Sequence, residues 1–181
     1  MLEREMKFLL EKEQFYTLLK WTQQAYPGIQ PKEINQTNYY YDTDDLRLYK
    51  QHITLRVRGK NDKYAIEKKE VEGYEGLIRK ARESKYPVEH PPEEIRAADV
   101  EIEGDDVFHP LGQLSTRRTR FTLPDGTNID FDVSEYFSVI DYEAEIELGD
   151  NPPKALIQKF SALQPENSAA GKLERFIRRL Q

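Results

Sequence analysis

The sequence contains no cysteine. Disulfides, thiolate zinc sites and cysteine nucleophiles are therefore excluded. It has no apolar run of membrane-spanning length, and its opening residues, MLEREMKF, lack the plan of a signal peptide. These absences predict a cytoplasmic protein with no membrane partner. No glycine-rich loop precedes a helix, so phosphate binding of that kind is not expected. The three histidines, His52, His90 and His109, are scattered without ligand spacing and read as surface residues. The single tryptophan, Trp21, lies near the apolar face of a predicted helix and reads as packing. A net charge of −6 lacks the basic excess of a nucleic-acid reader, so no nucleic-acid partner is expected, although a concentrated internal basic site is compatible with it. There is no internal repeat, low-complexity tract or linker. The 181 residues are long enough to bury a core and read as a single domain, 1–181.

Charge is abundant. Asp, Glu, Lys and Arg make up 33% of the chain beside 11 Tyr and 8 Phe, which is polar for a globular domain but not disordered. The pattern predicts a strand over 1–10 and a helix over 11–25 with Phe15, Leu18 and Leu19 on one face. Strands follow at 36–42, 53–59, 63–70 and 77–88, with Gly59-Lys60-Asn61-Asp62 as a hairpin turn. Pro91-Pro92 opens a short helical piece over 93–98. Further strands are expected at 116–123, 127–137 and 139–149, with Pro124-Asp125-Gly126 as a turn. Two helices close the chain, one carrying Leu156, Phe160 and Leu163, the other Leu173, Phe176, Ile177 and Leu180. Many antiparallel strands with few helices predict a mainly β (α+β) fold, a barrel or strongly curled sheet.

Several strands alternate apolar residues with full charges. Glu3, Glu5 and Lys7 share a face opposite Met6 and Phe8; Arg56 and Arg58 oppose Leu55 and Val57. Arg118 and Arg120 oppose Thr119 and Phe121, Asp130 and Asp132 oppose Ile129, Phe131 and Val133, and Glu143, Glu145 and Glu147 oppose Ala144, Ile146 and Leu148. Any one such strand is explained by a half-exposed sheet with a solvated face. Together they are less easily explained, because like charges repel along a face and solvated surfaces usually mix signs. An acidic wall facing a basic wall across a wet interior accounts for the set, with the apolar faces turned outward under the helices. Such a lumen offers carboxylates to hard cations and guanidinium and ammonium groups to phosphate oxygens.

In order along the chain, Glu3-Arg4-Glu5-Met6-Lys7 resembles the ExExK opening of the CYTH family, the triphosphate tunnel metalloenzymes. Tyr39-Tyr40-Tyr41-Asp42-Thr43 resembles its YYDT segment, Leu55-Arg56-Val57-Arg58 its LRxR strand, and Tyr64 to Lys69 a strand ending in lysine. Arg82 resembles the arginine of its RxE strand, Thr116-Arg117-Arg118 its TxR segment, Asp132 an aspartate of the family, Glu143, Glu145 and Glu147 its ExExE strand, and Gly171-Lys172 with Arg175 its closing SKxxR. The acid of RxE falls on Ser84, beside Glu83, which leaves the register of that strand open. Of the adjacent Lys68 and Lys69, the resemblance favours Lys69. Arg120 has no family counterpart and is placed in the lumen by its parity with Arg118.

The resemblance implies an eight-stranded antiparallel β-barrel tunnel with helices packed on the outside, binding a triphosphate-containing small molecule with Mg2+ or Mn2+. It implies Glu3, Glu5, Asp132, Glu143, Glu145 and Glu147 as metal ligands. It implies Lys7, Arg56, Arg58, Lys69, Arg82, Arg118 and Lys172 as triphosphate ligands, to which parity adds Arg120. The groups bearing on catalysis are Glu3, Glu5, Lys7 and Arg58. The expected reaction is hydrolysis of inorganic or thiamine triphosphate. A class IV-type adenylate cyclase and a non-catalytic triphosphate- or polyphosphate-binding module share the same scaffold, and a homodimer is compatible with it.

Overall fold

Eight antiparallel strands close on one another. The computed structural model describes residues 2–163 and 170–181, so the first position of the predicted 1–10 strand, Met1, lies outside the described residues. The barrel strands are β1 (Leu2–Leu10), β2 (Lys32–Asp42), β3 (Ile53–Lys60), β4 (Lys63–Glu75), β5 (Ile78–Val88), β7 (Val107–Thr122), β8 (Asn128–Tyr136) and β9 (Val139–Glu147). Their order is β2-β3-β4-β5-β1-β9-β8-β7, and β7 pairs back onto β2, which removes every barrel edge. The two-residue β6 (Ile95–Arg96) is added on β7.

Two hairpins show how the sequence sets register. Asn61 and Asp62 both take left-handed φ, 50° and 56°, between β3 and β4, the conformation a two-residue hairpin requires. Gly126, at φ 86°, turns β7 into β8, and Asp125 accepts from the Thr127 amide and hydroxyl.

The outward faces are apolar and covered. Helix α1 (Lys12–Ala25) is fixed at its start by the Glu11 amide donating to Gln14 Oε1 at 3.1 Å. Its Phe15 and Leu18, with Leu156 and Phe160 of α3 (Lys154–Ser161), bury Met6, Phe8, Phe131 and Ile146 from the outer faces of β1, β8 and β9. Phe8 meets Phe160 at 5.7 Å between ring centroids and Phe15 meets Phe131 at 5.5 Å. Each fully buried side chain of this size contributes roughly 1.5–3 kcal/mol. Trp21 is partly buried against this layer, with Lys159 over its ring. A second outer layer gathers Tyr41, Leu55, Val57 and Ile66 under α2 (Arg47–Lys50) and the 3-10 turn Ala97–Val100. Asp42 holds α2 in place by accepting from the backbone amides of Leu48 and Tyr49, both at 2.9 Å.

Three expectations are corrected. The helical piece over 93–98 is β6 followed by the 3-10 turn. Strand β7 begins at Val107, not 116: it runs through Pro110 and Gly112, where β2 and β7 shift register between Tyr40 and Tyr41. Finally, α1 and α3 lie on the outside, but α4 (Lys172–Leu180) enters one end of the barrel, where Phe176 and Ile177 pack on the inward Tyr40, Leu114 and Tyr136. Gly112 permits this: a Cβ there would lie 2.9 Å from Phe176 Cζ.

Candidate active site

Alternation around the closed wall sends the charged faces inward, around a cavity of about 480 Å³, a size typical of small-molecule sites. Lys7, Arg56, Arg58, Lys69, Arg118, Arg120 and Lys172 line it, as do Glu3, Glu145 and Glu147. Arg79, Glu83, Lys85 and Glu174 also reach it, and the guanidinium and ammonium groups in the lining suit an anionic occupant.

Arg82 is the exception among the expected site residues. Its side chain is 65% exposed on the outside of β5 and pairs with Glu72 at 2.6 Å. The phase of β5 is one residue from the expected one: Arg79, Ala81, Glu83 and Lys85 point inward, and Ser84 points out. Lys69 faces inward to Glu3 and Glu5, whereas Lys68 turns out and donates to the Glu101 carbonyl.

The acids fall into two groups. Those in the first are gripped by cations and set their positions. Glu5, 1% exposed, accepts from Arg79 Nε at 2.8 Å and lies 2.9 Å from Lys69. Asp132 takes a two-pronged contact from Arg118 at 2.7 Å on each oxygen and a third from Lys172 at 2.8 Å. Glu143 binds Lys172 and Arg175, Glu67 binds Arg56, and Asp130 binds both Arg118 and Arg120. Such buried pairs are stable only because their geometry is close and two-pronged.

The second group, Glu3, Glu145 and Glu147, lines the cavity, and of these Glu3 accepts from Lys69 at 2.6 Å. Glu145 lies 3.2 Å from Lys7 and 3.8 Å from Arg118, and Glu147 lies 3.8 Å from Arg120 and accepts from Asn128 Nδ2 at 3.4 Å. Burial, then the neighbouring Glu3, pushes Glu147 above the ordinary carboxylate range, so the negative charge of Glu147 is undercompensated. These all-oxygen donors suit a hard divalent cation. Asp132, Glu143 and Glu145 also bring carboxylate oxygens within 4.8 Å of one another. The Lys172 ammonium already sits between Asp132 and Glu143, so of that trio Glu145 is the one best placed to turn to a metal. The expected ligands Glu5, Asp132 and Glu143 pair with Arg79, Arg118, Lys172 and Arg175.

Arg58 is the poorly compensated arginine of the cationic wall, and burial with the neighbouring Arg79 also pushes Lys7 down. Arg56, 13% exposed at its side chain, is held charged by Glu67 against its burial. Arg58 has within ion-pair distance, among the described residues, only that same Glu67, at 3.4 Å, and its Nε donates to Asn38. Burial, then the Arg56 charge, brings Arg58 down to about 10.

This charge layout sets the acid behaviour of the fold. Burial opposes ionisation of Glu3 and Glu67, yet a hydrogen bond with Glu83 together with Lys69 holds Glu3 at about 2, and Arg56 and Arg58 hold Glu67 at about 2. Asp132, Glu143 and Glu145 are likewise held low, against burial, by Arg118, Lys172 and Lys7 among others. Folded values below unfolded ones mean stability that is complete above the ordinary carboxylate range, near pH ~4.5, and lost as pH falls toward about 2. Glu83, Asp130 and Glu147, raised chiefly by burial, act in the opposite sense, but fewer groups are involved. The melting temperature should therefore fall steeply between pH 5 and 2. A flat profile over that interval would show that the buried pairs do not carry the fold.

A family model for the CYTH domain matches residues 1–177. A protein of Bacillus subtilis (strain 168) named as a candidate triphosphatase, YjbK, is 29% identical over 97% of this chain and 94% of its own. Two solved structures share the fold. One, HpAC1 from Hippeastrum, is a candidate adenylyl cyclase described as having a dominant triphosphatase activity; it aligns with a TM-score of 0.72 at 20% identity, over 98% of this chain and 96% of that one. The other, bh2851 of Bacillus halodurans, described as a candidate adenylate cyclase, aligns with a TM-score of 0.65 at 24% identity over 95% of each chain. The match spans both ends of the barrel and the helix that enters it, and the chain belongs to the CYTH domain family.

Proposed function

We propose that the chain, acting over 1–181 as one triphosphate tunnel unit in the cytoplasm, hydrolyses a small triphosphate, with inorganic triphosphate favoured and thiamine triphosphate second. The observation that carries this reading is the convergence of Arg56, Arg58 and Arg118 on one cavity with Arg58 left short of negative charge. A phosphate chain supplies that charge, and the arginine forks match its oxygens. The names of the Bacillus subtilis relative and of the Hippeastrum structure support hydrolysis over cyclisation.

In this reading Arg56, Arg58, Arg118 and Lys172 clamp the triphosphate, and Glu67, Asp132 and Glu143 keep those cations aimed at it. Glu3, Glu145 and Glu147 would hold Mg2+ or Mn2+. When bound, the ion neutralises phosphate oxygens and lowers the pKa of a coordinated water. Water attacks the terminal phosphorus, the anhydride P–O bond breaks, and orthophosphate and pyrophosphate leave. The basic wall stabilises charge on the transferring phosphoryl group.

Purified protein incubated with Mg2+ or Mn2+ should release phosphate from inorganic triphosphate faster than from thiamine triphosphate or ATP. Cyclic AMP from ATP without phosphate release would replace this reading with a cyclase, and tight binding without turnover of any of the three would replace it with a binding module.

A further inference from the structure

β2 carries two inward polar side chains that the ionic network does not use. Asn38 is wholly buried; its Oδ1 accepts from Arg58 Nε at 3.1 Å, and among the described residues its Nδ2 has no hydrogen-bond partner. Tyr40, two residues on and on the same face, is 1% exposed, and its Oη also has no partner. Both line the cavity. Buried donors left unmade are costly, and native proteins rarely keep them without a use.

The Tyr40 hydroxyl is not placed by a hydrogen bond of its own. Its ring is fixed by Phe176, 5.1 Å away between centroids, which occupies the space left by Gly112 opposite Tyr40 on β7. The charges that act on it most strongly belong to Arg56, Lys172, Arg58 and Arg175, cations that can donate but not accept. Burial raises the tyrosine's pKa, so the hydroxyl stays a donor. What is missing at this point is an acceptor with no proton of its own, flanked by arginine and lysine. Phosphate oxygens meet that description.

We propose that Tyr40 is a binding residue for the triphosphate, its hydroxyl donating to a phosphate oxygen alongside the Asn38 amide, so that two neutral, directional donors fix where the chain of phosphates sits among the cationic side chains. The inference rests on the triphosphate reading above.

Tyr40→Phe tests it, because the ring and its packing on Phe176 remain. Titration with inorganic triphosphate in EDTA, where no turnover occurs, should show an affinity at least about ten-fold weaker than wild type, the effect of losing a hydrogen bond to a charged group. The melting temperature without ligand should hold or rise, since an unmade buried donor has been removed. Equal affinities for the two proteins overturn the proposal, as does a weaker affinity accompanied by a lower unliganded melting temperature, which marks the hydroxyl as structural. Failure of wild type itself to bind would instead sink the triphosphate reading. Should the variant fail to fold, 3-fluorotyrosine placed at position 40 keeps the hydroxyl. Its fluorine resonance should shift on adding triphosphate and not on adding chloride at equal ionic strength, and an unmoved resonance counts against the proposal.

Discussion

Replacing Arg58 with alanine should weaken inorganic triphosphate binding by about 2–3 kcal/mol, the range for a hydrogen bond to a charged group, while leaving thermal stability unchanged or higher. The two effects separate because Arg58 is poorly compensated in the empty barrel. Its nearest acid is shared with Arg56, and its pKa stands at about 10. A folded value below the unfolded one means that the charged arginine costs stability at every pH below about 10, and that the cost is relieved only as pH rises above it. With one pKa unit equal to about 1.4 kcal/mol, the penalty is a few kcal/mol. Alanine removes it, at the expense of some packing by the arginine stem and of the Asn38 contact. Arg82→Ala is the matched control, since that side chain lies outside the wall with Glu72. Calorimetric titration of the three proteins decides the matter. Similar losses from Arg58→Ala and Arg82→Ala would mean that the lumen is not where triphosphate binds.

Lys172→Met should produce the largest loss of stability, about 3–5 kcal/mol, as expected when one partner of a buried ion pair is removed. Methionine keeps the length and fills the space, but it leaves Asp132 and Glu143 facing each other with one cation fewer. The same ammonium is a principal charge anchoring α4, so Phe176 should loosen from Tyr40 and Tyr136 and activity should fall with it. The pH dependence identifies the cause. In the wild type Lys172 helps hold both acids below the ordinary range, and their contribution disappears as pH falls. In the variant their folded values rise, so protonation favours the fold. The stability gap measured by urea unfolding should therefore be widest at pH 7 and narrow toward pH 4.5. A gap below about 1 kcal/mol at pH 7, or one that does not change with pH, would show that α4 is held by its apolar contacts alone.

What could be read in the sequence follows from where the barrel is covered. On β1, β3, β8 and β9 one face meets a helix or the outer core and the other meets the lumen, so apolar and charged residues alternate cleanly and the inward set could be named. The outer face of β5 carries Lys80 and Arg82 in solvent while the inner face carries Arg79, Glu83 and Lys85. Charge on both faces erases the phase, which is why Arg82 was expected inside and Arg79 was not. Ala81, apolar yet buried opposite Glu3 on the inward face, points the alternation rule the wrong way. Tyr39-Tyr40-Tyr41 hides its meaning for the opposite reason: Tyr41 belongs to the outer core and Tyr40 to the lumen, so both faces are aromatic and no alternation appears. The first half of β7 was masked by Pro110 and Gly112. The latter has a φ of 146° and is a glycine because of Phe176, a contact between positions far apart in the chain that local pattern cannot show.

The pairing order also governs how the chain can fold. β1 lies between β5 and β9, and β2 closes on β7, so the first strands synthesised wait for partners made much later. Topologies dominated by such distant contacts fold slowly, on milliseconds to seconds. During synthesis β1 therefore leaves the ribosome with its acidic face unpaired and its apolar face, Met6 and Phe8, uncovered until α3 arrives. The alternation that builds the lumen protects that interval. A nascent strand carrying a charge at every second position repels copies of itself and resists stacking into aggregates. The charges that suit the finished barrel to an anion thus also keep its unfinished wall apart from others of its kind.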